Sequence, residues 1–210
     1  MKVAAIVLCA GLSRRMGKQD KLLMDFAGAP LFSYGLDLVA AADFSMHIAV
    51  ANRKEIGTYA RQKGFIVVEN PLAADGIATS ICAGISGIKR QKKSDTIDGI
   101  MFFNADQPFL RCKVVQKLLA AFAQTLAAGK PHIIVPVYED TPASPCIFPW
   151  HFLPELLRLR GNNGGRMVYR QHWTETVFIS CGKKQDFIDI DTIKDIENFL
   201  VLAQSKNFEI

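Results

Sequence analysis

The order of apolar runs along this chain constrains its fold more than any other feature. Short segments rich in aliphatic and β-branched residues alternate with longer segments of helical periodicity. This alternation is typical of a parallel sheet whose strands are joined by crossover helices. Because the strand segments are continuously apolar, we expect them to be buried on both faces. The predicted strands are 2–8, 46–52, 65–70, 99–105 and 132–137, and the predicted helices are 30–42, 53–64, 76–93 and 113–129.

After residue 137 the alternation ends. A Pro-rich stretch, YEDTPASPCIFPW, is followed by a helical segment at 151–160 and by the loop GNNGG. The segment at 187–204 is predicted as a strand that runs into an amphipathic closing helix. We therefore predict an α/β chain with one domain over 1–210, in which 138–185 is an insertion that shapes the acceptor side of a cleft.

Composition narrows the classes of function. Half of the 210 residues are hydrophobic and 21% are charged, which fits one globular domain with a sizeable core. The net charge of +5 favours an anionic partner but is too small to indicate nucleic acid. Five scattered cysteines suggest neither a disulfide framework nor a zinc site, and they favour a cytoplasmic location. The apolar start is interpreted as a buried strand rather than a leader peptide, and no run is long enough to predict a membrane span.

The segment IVLCAGLSRRMGKQDKLL places glycines and cations directly after the first predicted strand. Loops at the carboxyl ends of parallel strands commonly bind ligands, and free backbone N–H groups there hold anions. Gly11 and Gly17 would let the loop approach a phosphate closely, while Ser13, Arg15 and Lys21 would add donors and positive charge. The spacing fits neither the dinucleotide fingerprint G-x-G-x-x-G nor the Walker A loop. A solvated surface loop is the alternative.

The same segment resembles the loop L-x-x-G-x-S-x-R-M-G, followed by a lysine, of nucleotidyltransferases similar to molybdenum cofactor cytidylyltransferase. The resemblance extends over nearly the whole chain. It implies a three-layer Rossmann-like nucleotidyltransferase fold with a mostly parallel sheet and helices on both faces. It also implies that the loop wraps the triphosphate of a nucleotide, with Arg15 and Lys21 as catalytic residues. The matching residues are Leu8, Gly11, Ser13, Arg15, Met16, Gly17 and Lys21.

A carboxylate follows the predicted strand GIMFF. Asp106, in the segment MFFNADQPFL, should lie at the same edge of the sheet as the glycine loop. Mg²⁺ prefers oxygen and commonly bridges phosphates to one or two acidic side chains, so Asp106 is a candidate metal ligand. From the residues alone, an aspartate that caps a helix near Arg111 is an equal alternative. The resemblance favours the metal, because the family carries D-Q-P here, and it makes Asp106 a catalytic and nucleotide-binding residue.

Two further carboxylates lie in the closing segment FIDIDTIKDIENFL. Alternation within IDID predicts that Asp189 and Asp191 point to one face. The segment resembles the family's closing D-x-D-T-x-x-D motif, which implies that Asp191 is the second Mg²⁺ ligand beside Asp106. Asp195 is interpreted as a charge at the start of the closing helix, and Thr192 as its N-cap.

A third segment, NPLAADGIATSICAG, resembles the part of the family that lines the base and ribose of the nucleotide. The resemblance implies that Ser80 contributes to nucleotide binding. A glycine inside a helix, such as Gly84, costs about 1 kcal/mol relative to alanine. Close packing or the approach of a ligand would explain it. The matching residues are Asn70, Pro71, Gly76, Ser80 and Gly84.

Two motifs on the acceptor side depart from the family pattern. Many relatives have Gly-x-Pro where this chain has Ala143-Ser144-Pro145, and G-D-x-G-x-R where it has Gly161-Asn162-Asn163-Gly164-Gly165-Arg166. These departures leave the acceptor open. Phe148, Trp150 and Phe152 are candidates for stacking on a flat pterin ring or for core packing.

These features predict an Mg²⁺-dependent enzyme that transfers CMP from CTP to the terminal phosphate of molybdopterin and releases pyrophosphate. Ala10 is typical of family members that use CTP, so CTP is expected to bind in preference to GTP. The alternatives are GTP as substrate, another phosphorylated acceptor such as a sugar or polyol phosphate, and a non-catalytic chaperone for molybdopterin. A molybdoenzyme or its assembly factor is a candidate protein partner, whereas nucleic acid and membrane are not expected as partners.

Overall fold

The structure, a computed structural model, describes residues 1–11, 20–92 and 96–204, with side chains as far as residue 200. It confirms the predicted α/β class: a mostly parallel sheet carries helices on both faces. The strands are β1 (Val3–Leu8), β2 (Asp25–Phe26), β3 (Ala29–Pro30), β4 (Met46–Val50), β5 (Ile66–Val68), β6 (Gly99–Asn104), β7 (Ile133–Tyr138), β8 (Thr141–Pro142), β9 (Cys146–Pro149) and β10 (Thr176–Ser180). The helices are α1 (Leu31–Ala40), α2 (Lys54–Gln62), α3 (Ile77–Lys89), α4 (Cys112–Ala127), α5 (Leu153–Arg158), α6 (Gly165–Gln171) and α7 (Ile193–Gln204).

The main sheet has the strand order β10-β7-β9-β6-β1-β4-β5, with β8 paired to β7. β1 lies inside the sheet and is parallel to both neighbours, so that Ala4 is in register with Ile100 of β6 and with Met46 of β4. β9 runs antiparallel between β6 and β7, and β10 pairs in parallel with β7. Parallel pairing places the carboxyl ends of β1, β4 and β6 at one edge of the sheet.

Consecutive residues of β1 point into opposite layers, because side chains alternate along a strand. Val3, Ala5 and Val7 belong to a hydrophobic cluster with residues of α1, α2 and α4. Ala4 and Ile6 belong to a second cluster with residues of α3, α5 and α6. All five side chains are buried. The prediction that a continuously apolar strand is covered on both faces is therefore confirmed for β1, whereas Ile66 and Val67 of the edge strand β5 are only partly buried.

The segment 138–185 contributes strands that its sequence did not predict. β9 is four residues long and ends in proline, so it lacks the length and composition that indicate a strand. It nevertheless completes the sheet between β6 and β7, with Ile147 in register with Met101 and Ile134. The predicted helix at 151–160 is confirmed as α5, whereas α6, directly after the GNNGG loop, was not predicted. The interpretation of 138–185 as an insertion in a single domain stays a prediction.

The strand predicted at the start of the closing segment is wrong. Lys184–Phe187 forms a 3-10 helix instead, and residues 188–191 adopt no regular structure. The backbone N–H of Ile190 donates to the carbonyl of Asp106 at 2.9 Å. One such bond places the segment against the end of β6 without building a strand ladder. None of the helices in the described ranges combines the length and apolar character that crossing a bilayer requires.

Replacing each of two helical glycines with alanine should change the free energy of unfolding in opposite directions. A Cβ at Gly84 in α3 would lie 2.7 Å from Cγ2 of Ile6 and 3.2 Å from Cγ2 of Val50. We expect Gly84→Ala to lower the free energy of unfolding by about 1–3 kcal/mol, because buried strand residues must shift. A Cβ at Gly57 in α2 would come no closer than 3.4 Å, to a guanidinium nitrogen of Arg61. Gly57→Ala should therefore raise the free energy of unfolding by up to about 1 kcal/mol through helix propensity.

Urea denaturation of both variants beside the wild-type protein measures these changes. If the free energy of unfolding changes with the same sign in both variants, the close packing of α3 against β1 is contradicted.

Candidate functional site

Two adjoining cavities open at the carboxyl ends of β1 and β6, the edge of the sheet where α/β proteins usually bind ligands. The carboxylate cavity, of about 410 Å³, contains the side chains of Asp106 and Asp191. Leu8, Ile77 and Asn104 line both cavities and so form the partition between them. The aromatic cavity, of about 640 Å³, is lined by the rings of Phe102, Tyr138, Phe148, Tyr169 and Phe187, among other residues.

The structure brings together the described residues that the sequence predicted for nucleotide and metal binding. Residues from the first strand, from α3 and from the ends of two distant segments meet in one place. The residues that line the carboxylate cavity include Leu8, Ala10, Gly11, Lys21, Ser80, Asp106 and Asp191. The remaining predicted residues, Ser13, Arg15 and Gly17, lie outside the described residues.

A short 3-10 helix, Lys21–Leu23, presents Lys21 to the carboxylate cavity. Asp20 caps this helix: its Oδ1 accepts from the backbone N–H of Leu22 at 3.2 Å, and its Oδ2 accepts from Nε of Arg53 at 2.6 Å. The side chain of Leu22 is buried in the core. The residues on either side therefore fix the backbone from which the Lys21 side chain extends.

Lys21 donates hydrogen bonds to two carboxylates that are far apart in the sequence. Its Nζ lies 2.7 Å from Oδ2 of Asp106 and 2.8 Å from Oδ1 of Asp191. Burial alone would lower the pKa of Lys21, but the charges and hydrogen bonds of Asp106 and Asp191 outweigh that effect and raise the pKa. The side chain is therefore an ammonium ion at neutral pH.

Asp106 is placed by the end of β6, as the sequence predicted. Its backbone carbonyl accepts from the N–H of Ile190, and this bond brings the segment that carries Asp191 alongside. The alternative role as a helix cap is not observed, because α4 has Arg111 at its N-cap and no side-chain hydrogen bond there. Within the described ranges, Oδ1 of Asp106 is buried and has no hydrogen-bond partner.

These oxygen atoms fit a hard divalent cation. Oxygens of Asp106 and Asp191 converge on one point, and Oδ1 of Asp106 retains an unused lone pair in a buried position. Mg²⁺ typically takes one or two carboxylates together with phosphate oxygens and water. The described residues contain no group of three or more histidine, cysteine or acidic side chains arranged for a metal. A site of two carboxylates leaves coordination positions for phosphate.

Asp191 is held by the cap of the closing helix. The N–H of Asp195 donates to Oγ1 of Thr192 at 3.2 Å, and the N–H of Thr192 donates to Oδ2 of Asp195 at 2.7 Å. Oδ2 of Asp195 also accepts from the N–H of Asp191 at 3.1 Å. This reciprocal pattern confirms the predicted N-cap at Thr192 and the helix-start charge at Asp195. It fixes the backbone from which Asp191 reaches Lys21.

The two carboxylates predicted to share a face line different cavities. Asp191 lines the carboxylate cavity and Asp189 the aromatic cavity. Asp189 keeps solvent exposure. Partial desolvation, followed by repulsion from Asp106 and Asp191, raises its pKa to about 6, although Lys21 and a hydrogen bond from Gln107 act in the opposite direction. Asp189 therefore loses its proton less readily than an ordinary aspartate, and it borders the aromatic cavity.

Asn70 ties the loop before α3 to the helix. Its side chain is buried, and its Nδ2 donates to the hydroxyls of Thr79 and Ser80, both at 2.9 Å. Its Oδ1 accepts from the N–H of Leu72 at 3.1 Å. Asn70 is absent from the walls of the carboxylate cavity. Asn70 therefore positions Ser80, which does line that cavity.

Gly84 and Pro71 also lie away from the two cavities. For Gly84, the sequence left packing and ligand approach as alternatives. The close approach of Ile6 and Val50 explains the missing side chain, so packing is the reason for this glycine. Of the residues that match this family segment, Gly76 and Ser80 line the carboxylate cavity, and the predicted role of Ser80 in nucleotide binding stays a prediction.

Gly76 is required where two loops meet. It has a φ of +105°, and a Cβ there would lie 2.3 Å from the carbonyl oxygen of Gly161 and 2.7 Å from Oδ1 of Asn162. The N–H of Ala78 donates to the same carbonyl of Gly161 at 3.1 Å. Asn162 lines the carboxylate cavity, whereas residues 164–166 line the aromatic cavity. Asn162 thus lies in the same cavity as Lys21 and the two carboxylates, and its predicted place on the acceptor side stays a prediction.

The aromatic cavity contains the other departures from the family pattern. Ala143 and Ser144 line it together with Phe148, one of three aromatic residues predicted to face a ligand or pack in the core. Trp150 and Phe152 are not part of its walls. Phe152 is buried and meets the ring of His172 edge-on, with centroids 4.8 Å apart. Phe148 and Phe152 are both buried in the same hydrophobic cluster, and of the two only Phe148 also borders the aromatic cavity.

Several wall residues were not predicted from the sequence. Asn104 ends β6 and lines both cavities, and its place two residues before Asp106 is a signal that could have identified it. Gln107 is 4% exposed and lines the aromatic cavity. Tyr138 and Lys184 line the same cavity. No comparable signal in the sequence identifies Tyr138 and Lys184, because their positions depend on how the segment after β7 folds back.

Comparisons with known proteins identify the family. Residues 5–177 match the family described as MobA-like NTP transferase domain, and the chain belongs to this family. A relative named molybdenum cofactor guanylyltransferase, from Yersinia pestis (strain Pestoides F), is 29% identical over 126 residues, which are 60% of this chain and 60% of that protein. The alignment thus spans less than two thirds of the length of this curated relative.

Solved structures share the fold. A nucleotidyl transferase from Methanothermobacter thermautotroptrophicus has a TM-score of 0.76 at 14% identity, covering 98% of this chain and 99% of that chain. A 4-diphosphocytidyl-2C-methyl-D-erythritolsynthase from Anaerococcus prevotii DSM 20548 has a TM-score of 0.69 at 13% identity, covering 97% and 96%. At these identities the likeness concerns the fold alone. It confirms the predicted Rossmann-like nucleotidyltransferase architecture.

Replacing Asn70 should test the support of the carboxylate cavity. Asn70→Ala leaves the buried hydroxyl of Ser80 and the N–H of Leu72 without their partner, so the free energy of unfolding should fall by about 2–4 kcal/mol. Asn163→Ala is the matched control, since Asn163 is exposed in the neighbouring loop, and it should change stability by less than about 0.5 kcal/mol. Urea denaturation measures both variants. An Asn70→Ala protein as stable as the control would show that this network does not hold the loop.

Proposed function

We propose that this chain is a nucleotidyltransferase that transfers CMP from CTP to the phosphate of molybdopterin and releases pyrophosphate. The observation that carries this proposal is the convergence of Lys21, Asp106 and Asp191 in one cavity that adjoins a second cavity. Transfer from a triphosphate needs positive charge at the phosphates and oxygen ligands for a metal ion, and these three residues provide both. Membership of the MobA-like family supports the same class of reaction.

The nucleotide binds in the carboxylate cavity. Leu8, Ala10 and Gly11 present backbone and small side chains to the base and phosphates, and Ser80 offers a hydroxyl near the ribose. Lys21 donates to phosphate oxygens, and its charge stabilises them most as negative charge builds up in the transition state. By the family resemblance, Ser13, Arg15 and Gly17 complete the phosphate loop, with Arg15 as a second catalytic cation.

Asp106 and Asp191 hold Mg²⁺ in this proposal. When bound, the ion neutralises charge on the triphosphate and fixes its orientation. The oxygen ligands and the unpartnered Oδ1 of Asp106 support this assignment. The protein's own contribution is to position both carboxylates, through the end of β6 for Asp106 and the cap of α7 for Asp191.

The acceptor binds in the aromatic cavity. Because Leu8, Ile77 and Asn104 line both cavities, an acceptor phosphate can approach the α-phosphorus across this partition. An oxygen of that phosphate forms a bond to the α-phosphorus, the bond to the pyrophosphate group breaks, and pyrophosphate leaves. Arg166 and Lys184 supply positive charge in the walls. The partly exposed rings of Tyr138 and Phe187 favour a flat heterocycle such as a pterin over a sugar or polyol phosphate, which needs more hydrogen-bonding partners.

Three alternatives have support of their own. GTP as the substrate is supported by the name of the curated relative, molybdenum cofactor guanylyltransferase. A different phosphorylated acceptor is supported by the departure from the family pattern at Ala143, which lines the aromatic cavity. A chaperone that delivers molybdopterin without turnover would also use the aromatic cavity, although it would have no need for the grouping of Lys21 with two carboxylates.

We further propose that the protein acts in the cytoplasm and that a molybdoenzyme or its assembly factor receives the product.

A panel of substrates separates these candidates. Purified protein is given CTP, GTP or ATP with Mg²⁺ and with molybdopterin, a sugar phosphate or a polyol phosphate, and pyrophosphate release is measured. We expect release with CTP and molybdopterin. Pyrophosphate release with another acceptor would replace the molybdopterin assignment. If no combination releases pyrophosphate and molybdopterin still binds tightly, the chaperone function remains.

Replacing each of the three aspartates near Lys21 with asparagine should lower turnover to a different extent. Asp106→Asn and Asp191→Asn should each lower kcat/KM for CTP by about two orders of magnitude, because each removes a charged ligand of the metal. Asp189→Asn is the matched control from the same segment and should be milder, because Asp189 lines the other cavity. Pyrophosphate release measures the three, with circular dichroism to check the fold. Equal losses at residues 189 and 191 would contradict the division between the cavities.

The base preference should depend on Ala10. This residue is 3% exposed in the wall of the carboxylate cavity, and its Cβ takes space where the backbone meets the base. A difference of one methyl group is worth about 1–3 kcal/mol, enough to prefer the smaller pyrimidine without excluding a purine. We expect kcat/KM to be higher for CTP than for GTP, and Ala10→Gly to shift the ratio partly toward GTP. A wild-type enzyme that prefers GTP would remove the cytidylyl assignment.

A further inference from the structure

One ammonium ion occupies the point where two carboxylates meet. Nζ of Lys21 is within hydrogen-bond distance of Oδ2 of Asp106 and of Oδ1 of Asp191. In the proposed function the same two side chains hold a divalent cation. A second cation cannot share both of these oxygens with the ammonium, because two positive charges at such short range repel strongly.

Burial alone does not keep solvent cations away from this pair. The side chains of Asp106 and Asp191 are 20% and 43% exposed, whereas that of Lys21 is 13% exposed. A hydrated metal ion can therefore reach Asp191 from the solvent. Among the described residues, the group that stands between such an ion and joint contact with both carboxylates is the Lys21 ammonium, whose backbone is fixed by Asp20 and Leu22.

We propose that Lys21 keeps the pair of Asp106 and Asp191 closed to free divalent metal ions and opens it only when a triphosphate accepts the lysine's hydrogen bonds. This inference rests on the proposed function and adds an order to it: the metal is taken up together with the nucleotide and not before it. A triphosphate supplies several charged oxygens, so the ammonium exchanges one set of charge-assisted hydrogen bonds for another.

Removing the lysine charge should therefore strengthen metal binding in the absence of nucleotide. Lys21→Met keeps a long apolar stem and leaves Asp106 and Asp191 without their shared cation. We expect it to bind Mn²⁺ more tightly than the wild-type protein by about tenfold or more. Lys21→Arg retains the charge and should bind Mn²⁺ as weakly as the wild type. Lys54→Met, which removes an exposed lysine in α2, is the control for net charge.

Electron paramagnetic resonance of free Mn²⁺ gives the dissociation constant of each nucleotide-free protein without any turnover. Tighter binding by Lys21→Met that disappears when Asp106→Asn is added supports the proposal. Unchanged or weaker binding by Lys21→Met overturns it, and so does tighter binding that survives Asp106→Asn, because the metal then lies elsewhere. Lys21→Gln is a second neutral variant if Lys21→Met fails to fold. Failure of the proposed function would appear separately, as a wild-type protein that releases no pyrophosphate in the substrate panel.

Discussion

A single ammonium ion draws together three distant parts of the chain. Lys21 follows the first strand, Asp106 follows β6, and Asp191 precedes the closing helix, yet both carboxylates lie within hydrogen-bond distance of Nζ of Lys21. Each is held by backbone structure: a capped 3-10 helix, the end of a buried strand, and the cap of α7. Because the partners come from separate segments, the charged cluster exists only when the sheet and the closing segment are both in place.

The cavities on either side of the partition are also linked through the loop after α5. Gly161 accepts a hydrogen bond from Ala78 at the start of α3, and Asn162 lines the carboxylate cavity. The residues that follow, 164–166, line the aromatic cavity. One short segment therefore contacts both binding spaces. The lack of a side chain at Gly76 is what lets this loop lie against α3.

Much of this arrangement could be predicted from the sequence, because strand ends position side chains by simple rules. Asp106 follows a continuously apolar strand, and the sequence placed it correctly at the edge of the sheet where Gly11 lies. β9 escaped prediction, because it is short and owes its place to long-range pairing with β6. The opposite error occurs around Ile190, where the alternation of apolar and acidic residues predicted a strand. The structure has a backbone hydrogen bond from Ile190 to Asp106 there instead of a strand ladder. The sequence also carried no sign that Asn162 would lie beside the two carboxylates, because a loop's contacts depend on the element against which it packs.

Anomalous diffraction from Mn²⁺, in crystals grown with a non-hydrolysable CTP analogue, tests most directly whether Asp106 and Asp191 hold the metal while Lys21 binds the phosphates. The expected result is a manganese peak within bonding distance of the carboxylates of both Asp106 and Asp191, with Nζ of Lys21 on the phosphates. A manganese ion bound only by the triphosphate, with Lys21 still on the two carboxylates, would contradict the roles assigned to all three residues.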